Sequence, residues 1–151
     1  MKIQKVFEVE AAINTALSAI TDRKQIKHLR AAKRQCLEVT EQERETLKQP
    51  ESVKAFSRAL QEWSNELNSM TQEKRAEKLA DLRAEFPTSR QDAIDWKKLH
   101  DDTMEEEVEM SFTAAPAETM FKNSKLVIDP RVFDLLCEVG IFREDPDVQL
   151  V

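Results

Sequence analysis

Apolar positions recur three and four residues apart through most of this 151-residue chain, the spacing that gathers side chains on one face of an α-helix. From about residue 8, Val9, Ala12, Ile13, Ala16, Leu17 and Ile20 fall on one face. Before them, Ile3, Val6 and Phe7 suit an extended arm or a first helical turn. Thr21 or Asp22 offers an oxygen to cap a second helix, which carries Ile26, Leu29, Ala32, Cys36 and Val39 before turning polar through "TEQERETLKQ". Pro50 interrupts that helix, since proline lacks an N–H and clashes with the preceding turn, and a chain reversal is expected there. Val53, Phe56, Leu60, Trp63, Leu67 and Met70 then follow at spacings 3, 4, 3, 4, 3. That is a heptad seam, which faces another helix, and the second helix is its expected partner. A new phase, Ala76, Leu79, Leu82 and Phe86, starts after the cap Thr71 and stops at Pro87. Ser89 and Asp92 stand at capping-box spacing, ahead of a helix with Ala93, Trp96, Leu99 and Thr103 turned inward.

The rhythm changes at "EEEVEMSF", residues 105–112. Three glutamates at a helix C-terminus oppose the helix dipole and one another, so the helix is expected to end there. Val108, Met110 and Phe112 alternate with Glu109 and Ser111, the two-residue period of a strand with one buried face. "KLVID" at 125–129 is the candidate second strand, behind a turn at Asn123 and Ser124, and "TAAPAETMFK" is read as a loop. Asp129 caps a last helix with Pro130 at its first position. Val132, Phe133, Leu136 and Val139 form that helix's apolar side, and Gly140 ends it in the left-handed conformation with Ile141 folding back. The expected fold is mainly α: an antiparallel helical hairpin or bundle over 1–104, with a reversal near 50 and a further break near 87. A small two-stranded β-hairpin and terminal helix cover 105–142, and 143–151 form a polar tail.

Composition narrows the chemistry. The chain holds one glycine, whereas phosphate-cradling loops and dinucleotide folds need several. P-loop, Rossmann and glycine-rich kinase architectures are excluded. His28 and His100 have no cysteine or histidine neighbour at metal-ligand spacing. The acids around 101–109 lack the tight glycine-containing turn of a calcium loop. No nucleophile and base stand at catalytic spacing, so neither an enzyme nor a cofactor is expected. Hydrophobic residues make up 40% and charged residues 34%, and no apolar run approaches the roughly 20 residues that span a bilayer. The opening residues lack the apolar core of an export signal. A cytoplasmic protein with Cys36 and Cys137 as reduced, core-packing thiols is the expectation.

The order of a helical body, a glutamate-rich helix end, an "EEEVEMSF" strand and the compact terminal helix "DPRVFDLLCEVG" resembles a loose set of small tailed-bacteriophage proteins, over about residues 90–142. These carry no assigned activity, so the resemblance gives no residue a role. It implies a phage origin, in the host bacterial cytoplasm, and a non-catalytic task.

Two surfaces are candidates for function. Residues 1–35 carry a net charge of +5 within a chain of net −6, and Arg23, Lys27, Arg30 and Arg34 form one stripe on the second helix. A basic stripe can neutralise nucleic-acid phosphates, but no aromatics are interleaved with it. The polar stretch 40–49 leaves the start of the seam thinly covered, so Leu47, Val53 and Phe56 are the candidate contact for a protein partner, viral or host, or for self-association. The leading expectation is a non-catalytic protein–protein interaction protein, with nucleic-acid binding through the basic helix as the alternative and a small enzyme third.

Overall fold

The computed structural model describes residues 1–117, 121–122, 125–126 and 128–143, and the expected turn at Asn123 and Ser124 lies outside them. The chain is mainly helical, and its contacts gather into two compact units. One comprises residues 1–44 and 104 onward, the other residues 45–103. The first unit is thus built from both ends of the sequence, where the apolar pattern suggested a contiguous helical body followed by an appendage.

In the first unit, α1 (Ile3–Ala19) begins earlier than the apolar period suggested. Ile3, Val6 and Val9 continue the inward face of Ile13 and Ala16, and all five are buried. Ile20 leaves the helix in an extended conformation. Asp22 rather than Thr21 caps α2 (Arg23–Thr46), its carboxylate accepting from Gln25 N–H at 3.0 Å. The inner face of α2 is Gln25, Leu29, Ala32, Cys36 and Thr40.

The acidic run stops a helix as its charge predicts, for α5 (Ser89–Glu105) ends inside it. The following residues alternate as expected: Val108, Met110 and Phe112 pack on the core while Glu109 and Ser111 are exposed. Among the described residues they form no pair with residues 125–129, where Lys125 and Leu126 pair with Lys122 and Phe121 instead, which corrects the expected hairpin. Val108 N–H donates to the Met1 carbonyl at 2.8 Å, and Ile3 N–H donates to the Glu106 carbonyl at 2.9 Å. The backbone partner of the segment is therefore the N-terminus, over a single bridge between Lys2 and Glu107. Burial sets the two-residue period here without a sister strand.

Of the paired strands, two lie in the stretch read as a loop, one at the start of the expected strand 125–129, and one just behind the last helix. β1 (Ala115–Pro116) runs parallel to β4 (Phe142–Arg143), while β2 (Phe121–Lys122) and β3 (Lys125–Leu126) pair Phe121 with Leu126 and Lys122 with Lys125. Pro116 has no N–H to give, and the ladder flanks it: Ala115 and Ala117 donate to the Ile141 and Arg143 carbonyls, each at 3.2 Å. α6 (Pro130–Glu138) packs against α1. Its Asp129 cap accepts from Arg131 N–H at 2.8 Å. Gly140 has φ +85°, and behind it Ile141 N–H reaches the Leu136 carbonyl at 2.9 Å.

The second unit is formed by α3 (Glu51–Ser69), α4 (Gln72–Glu85) and α5 as far as Thr103. Pro50 is the N-cap of α3. Met70 and Thr71 join α3 to α4, and their helices touch at residues equally far from that junction. Arg75 Nε donates to the Leu67 carbonyl at 2.9 Å, Lys78 Nζ lies 3.2 Å from the centre of the Trp63 ring, and Phe56 meets Phe86 edge-on at 6.1 Å. Contacts to the seam thus come from α4 and its C-cap Phe86, with α5 beside its start, where the sequence pattern pointed to the preceding helix. Thr71 caps α4 as expected. Ser89 is no cap: it is the first residue of α5, and its hydroxyl donates to the Phe86 carbonyl at 2.9 Å. Leu99, expected inward, is 45% exposed and Ile94 54%.

Candidate protein-interaction groove

The heptad seam begins at the place where α3 passes the turn between α4 and α5. Val53 is 8% exposed and Phe56 half-buried, so cover at this end of the seam is fuller than the polar 40–49 stretch suggested. The cover comes from Phe86, against Phe56, and from α5. Ser52 Oγ donates to the Asp92 carboxylate at 2.5 Å and ties the first turn of α3 to the first turn of α5. Between these elements an open cavity of about 350 Å³ remains, lined by Val53, Phe56, Arg83, Ser89, Arg90 and Ala93.

The walls divide by chemistry. Val53, Phe56 and Ala93 supply apolar surface. Ser89 is buried and its hydroxyl proton is already committed to Phe86, so it presents no free donor. Arg83 and Arg90 are exposed and form no ion pair among the described residues. A guanidinium is a fork of five N–H donors, and these two keep theirs open to solvent at the lip of an apolar hollow.

Of the residues singled out by sequence, Val53 and Phe56 line this cavity together and Leu47 does not. Leu47 is half-buried, and its backbone carbonyl accepts from Trp96 Nε1 at 2.9 Å. Arg83 and Arg90 escaped sequence reading. No period marks them, and only the bend at Phe86 to Thr88 carries them to the same hollow as Phe56.

The basic stripe is where its spacing put it. Arg23, Lys27, Arg30 and Arg34 each lie two residues before the buried Gln25, Leu29, Ala32 and Cys36, about 200° away round the helix. All four are exposed and none forms an ion pair among the described residues.

Elsewhere in the first unit, buried polar groups serve packing. Glu10 is 5% exposed, and Arg44 Nη2 donates to its carboxylate at 2.5 Å while the guanidinium stacks 5.4 Å from the centre of the Phe7 ring. Cys36 is fully buried; burial first, and the Glu10 charge second, push its thiol pKa up to about 11. A thiol held protonated is a poor nucleophile. His28 Nε2 lies 2.6 Å from the Ile141 carbonyl, so that nitrogen carries the proton. His28, Gln25 and Lys24 border a smaller cavity of about 270 Å³ with Ala115 and Pro116, across which Gln25 Nε2 donates to the Pro116 carbonyl at 2.9 Å. The acidic run has a bonding role besides stopping α5: Glu105 accepts from Lys2 Nζ at 2.6 Å, and this hydrogen bond, followed by the charge, raises the lysine pKa.

No group of three potential metal ligands occurs among the described residues, and no helix among them is long and apolar enough to cross a membrane. No protein-family model, curated protein or solved structure matches the chain.

Proposed function

We propose that this protein acts without catalysis, by binding another protein through the groove at the start of the α3 seam. The observation that carries the reading is the cavity itself: Val53 and Phe56 line an open apolar hollow whose two arginines are unpaired among the described residues. Binding energy at protein interfaces concentrates in a few apolar and arginine anchors set in pockets, and this hollow combines both. The likeness of residues 90–142 to tailed-phage proteins makes the partner a viral or bacterial one, and the task an accessory, assembly or host-engaging one.

Phe56→Glu, the simplest way to charge the groove, also removes the contact with Phe86 and is expected to loosen the second unit. Ala93→Phe is expected to fill the cavity while leaving the contact between Phe56 and Phe86 in place. The test is capture from bacterial lysate on wild-type and Ala93→Phe baits of equal helicity, alongside sedimentation of both proteins. A prey, or a dimer, lost with Ala93→Phe supports the reading. Identical capture and identical sedimentation of the two proteins would refute it.

A second reading, nucleic-acid binding, is favoured by the exposed and unpaired state of Arg23, Lys27, Arg30 and Arg34. It ranks second because the chain as a whole is acidic, at net −6. Phosphate contacts weaken steeply with salt. Micromolar mobility shifts that vanish at moderate salt, and on changing the four residues to glutamate, would place it first.

A further inference from the structure

We infer that the groove takes an acidic amphipathic helix, one that seats an apolar side chain on Val53 and Phe56 and presents carboxylates to Arg83 and Arg90. This rests on the reading of the groove as a protein interface and goes further by fixing the partner's chemistry.

Size comes first. About 350 Å³ is near the lower end of ligand clefts, which run from about 300 to 1,000 Å³. It has room for one or two large side chains and none for a stacked run of bases. Its floor is apolar, so the inserted group must be apolar too. The only neutral hydroxyl in the lining, that of Ser89, already donates to the Phe86 carbonyl.

Charge then selects the flanks. Arg83 leaves the last turn of α4 and Arg90 the first turn of α5, on either side of the bend at Phe86. The cavity's lining contains no acid. Asp92, two residues from Arg90, is held by Ser52 Oγ, and Asp81 and Glu85, each two residues from Arg83, form no ion pair with it among the described residues. An arginine pairs best with a carboxylate, which it can grip with two parallel N–H bonds. A basic partner would bring like charges onto the lip of a low-dielectric hollow. A neutral one would strip water from two guanidiniums without replacing it. A helix is the shape that offers an apolar stripe with acids on both shoulders, at positions three and four residues apart.

The experiment uses the full chain and three labelled 14-residue helical peptides that share one stripe of Leu and Phe. Their flanking positions are Glu, Gln or Lys, and binding is read by fluorescence anisotropy. The acidic peptide is expected to bind wild-type protein at least tenfold more tightly than the Gln peptide, more weakly as salt rises. With R83E/R90E, whose two substituted positions are exposed and whose helicity is checked against wild type, that preference should invert toward the Lys peptide. Equal binding of acidic and Gln peptides, unchanged in R83E/R90E, would overturn the acidic partner while leaving the groove an interface. Failure of all three peptides to bind would overturn the interface reading as well. Displacement of the acidic peptide by an equal concentration of a single-stranded 14-mer oligonucleotide would show that the arginines read phosphate, and would also overturn the inference.

Discussion

Single residues carry two sharply testable consequences. Gly140 has φ +85°, and a Cβ built there would meet nothing within 4 Å. Any penalty for a side chain is therefore paid by the backbone alone. Gly140→Val should destabilise the protein by about 1 kcal/mol or more, because a β-branched residue resists the left-handed region, and Gly140→Asn should cost less. Thermal unfolding of the three proteins decides this. Cys36 gives a pH signature. Its thiol is raised to about 11, against roughly 8.5 when unfolded. The unfolded thiol then ionises first as pH rises, so the stability that Cys36 contributes is complete below about pH 8.5 and is lost between there and about 11. Urea unfolding should show wild-type protein losing more stability between pH 8 and 10.5 than Cys36→Ala, and equal losses would contradict the assignment.

At the scale of elements, α1 and α2 are held together by more than apolar matching. The α2 face Gln25, Leu29, Ala32, Cys36 and Thr40 is extended by one turn to Arg44, which is in unit one and reaches the buried Glu10 carboxylate. Removing one member of a buried pair leaves an uncompensated charge, at a cost of about 3–5 kcal/mol when both are fully buried. The Arg44 side chain is half exposed, and solvent screens such pairs, so Arg44→Ala should cost about 1–2 kcal/mol. Glu10→Gln in the Arg44→Ala background should restore part of it. A double-mutant cycle by chemical denaturation measures the coupling, and strict additivity would mean that the pair is idle. The sequence marked 40–49 as a polar stretch and could not reveal this bond, since nothing in a one-dimensional pattern says that an arginine and a distant glutamate share a face.

For the molecule as a whole, the distribution of core is uneven. Among the described residues the buried apolar side chains of the second unit are Val53, Leu67 and Leu82, while the first unit buries Phe133, Phe142, Ile141, Leu136, Leu29 and the inner face of α1. Local opening is easiest where few apolar contacts must be broken. Hydrogen exchange should therefore proceed first in α3 and α4 and last in α1, α6 and α2 up to Thr40. Simultaneous exchange throughout would show that the two units open as one.

The sequence by itself determined the local features. Helical period placed the six helices of the described residues, side-chain oxygens at Thr71 and Asp129 and the lone Gly140 set their ends, and the charge of Glu105 to Glu107 stopped α5. The two-residue alternation of Val108, Met110 and Phe112 was legible as well, because periodicity records which face is buried. Periodicity does not record what buries it. Only the tertiary structure decided that this segment pairs with the N-terminus, that Ala115–Pro116 pairs with Phe142–Arg143, and that α4 supplies contacts to the seam. Those choices depend on groups far apart in the sequence, the most distant of them, Met1 and Val108, being 107 residues apart. The groove follows the same division: Val53 and Phe56 came from the seam, whereas Arg83 and Arg90 joined them only once the bend at Phe86 had brought α4 and α5 past the start of α3.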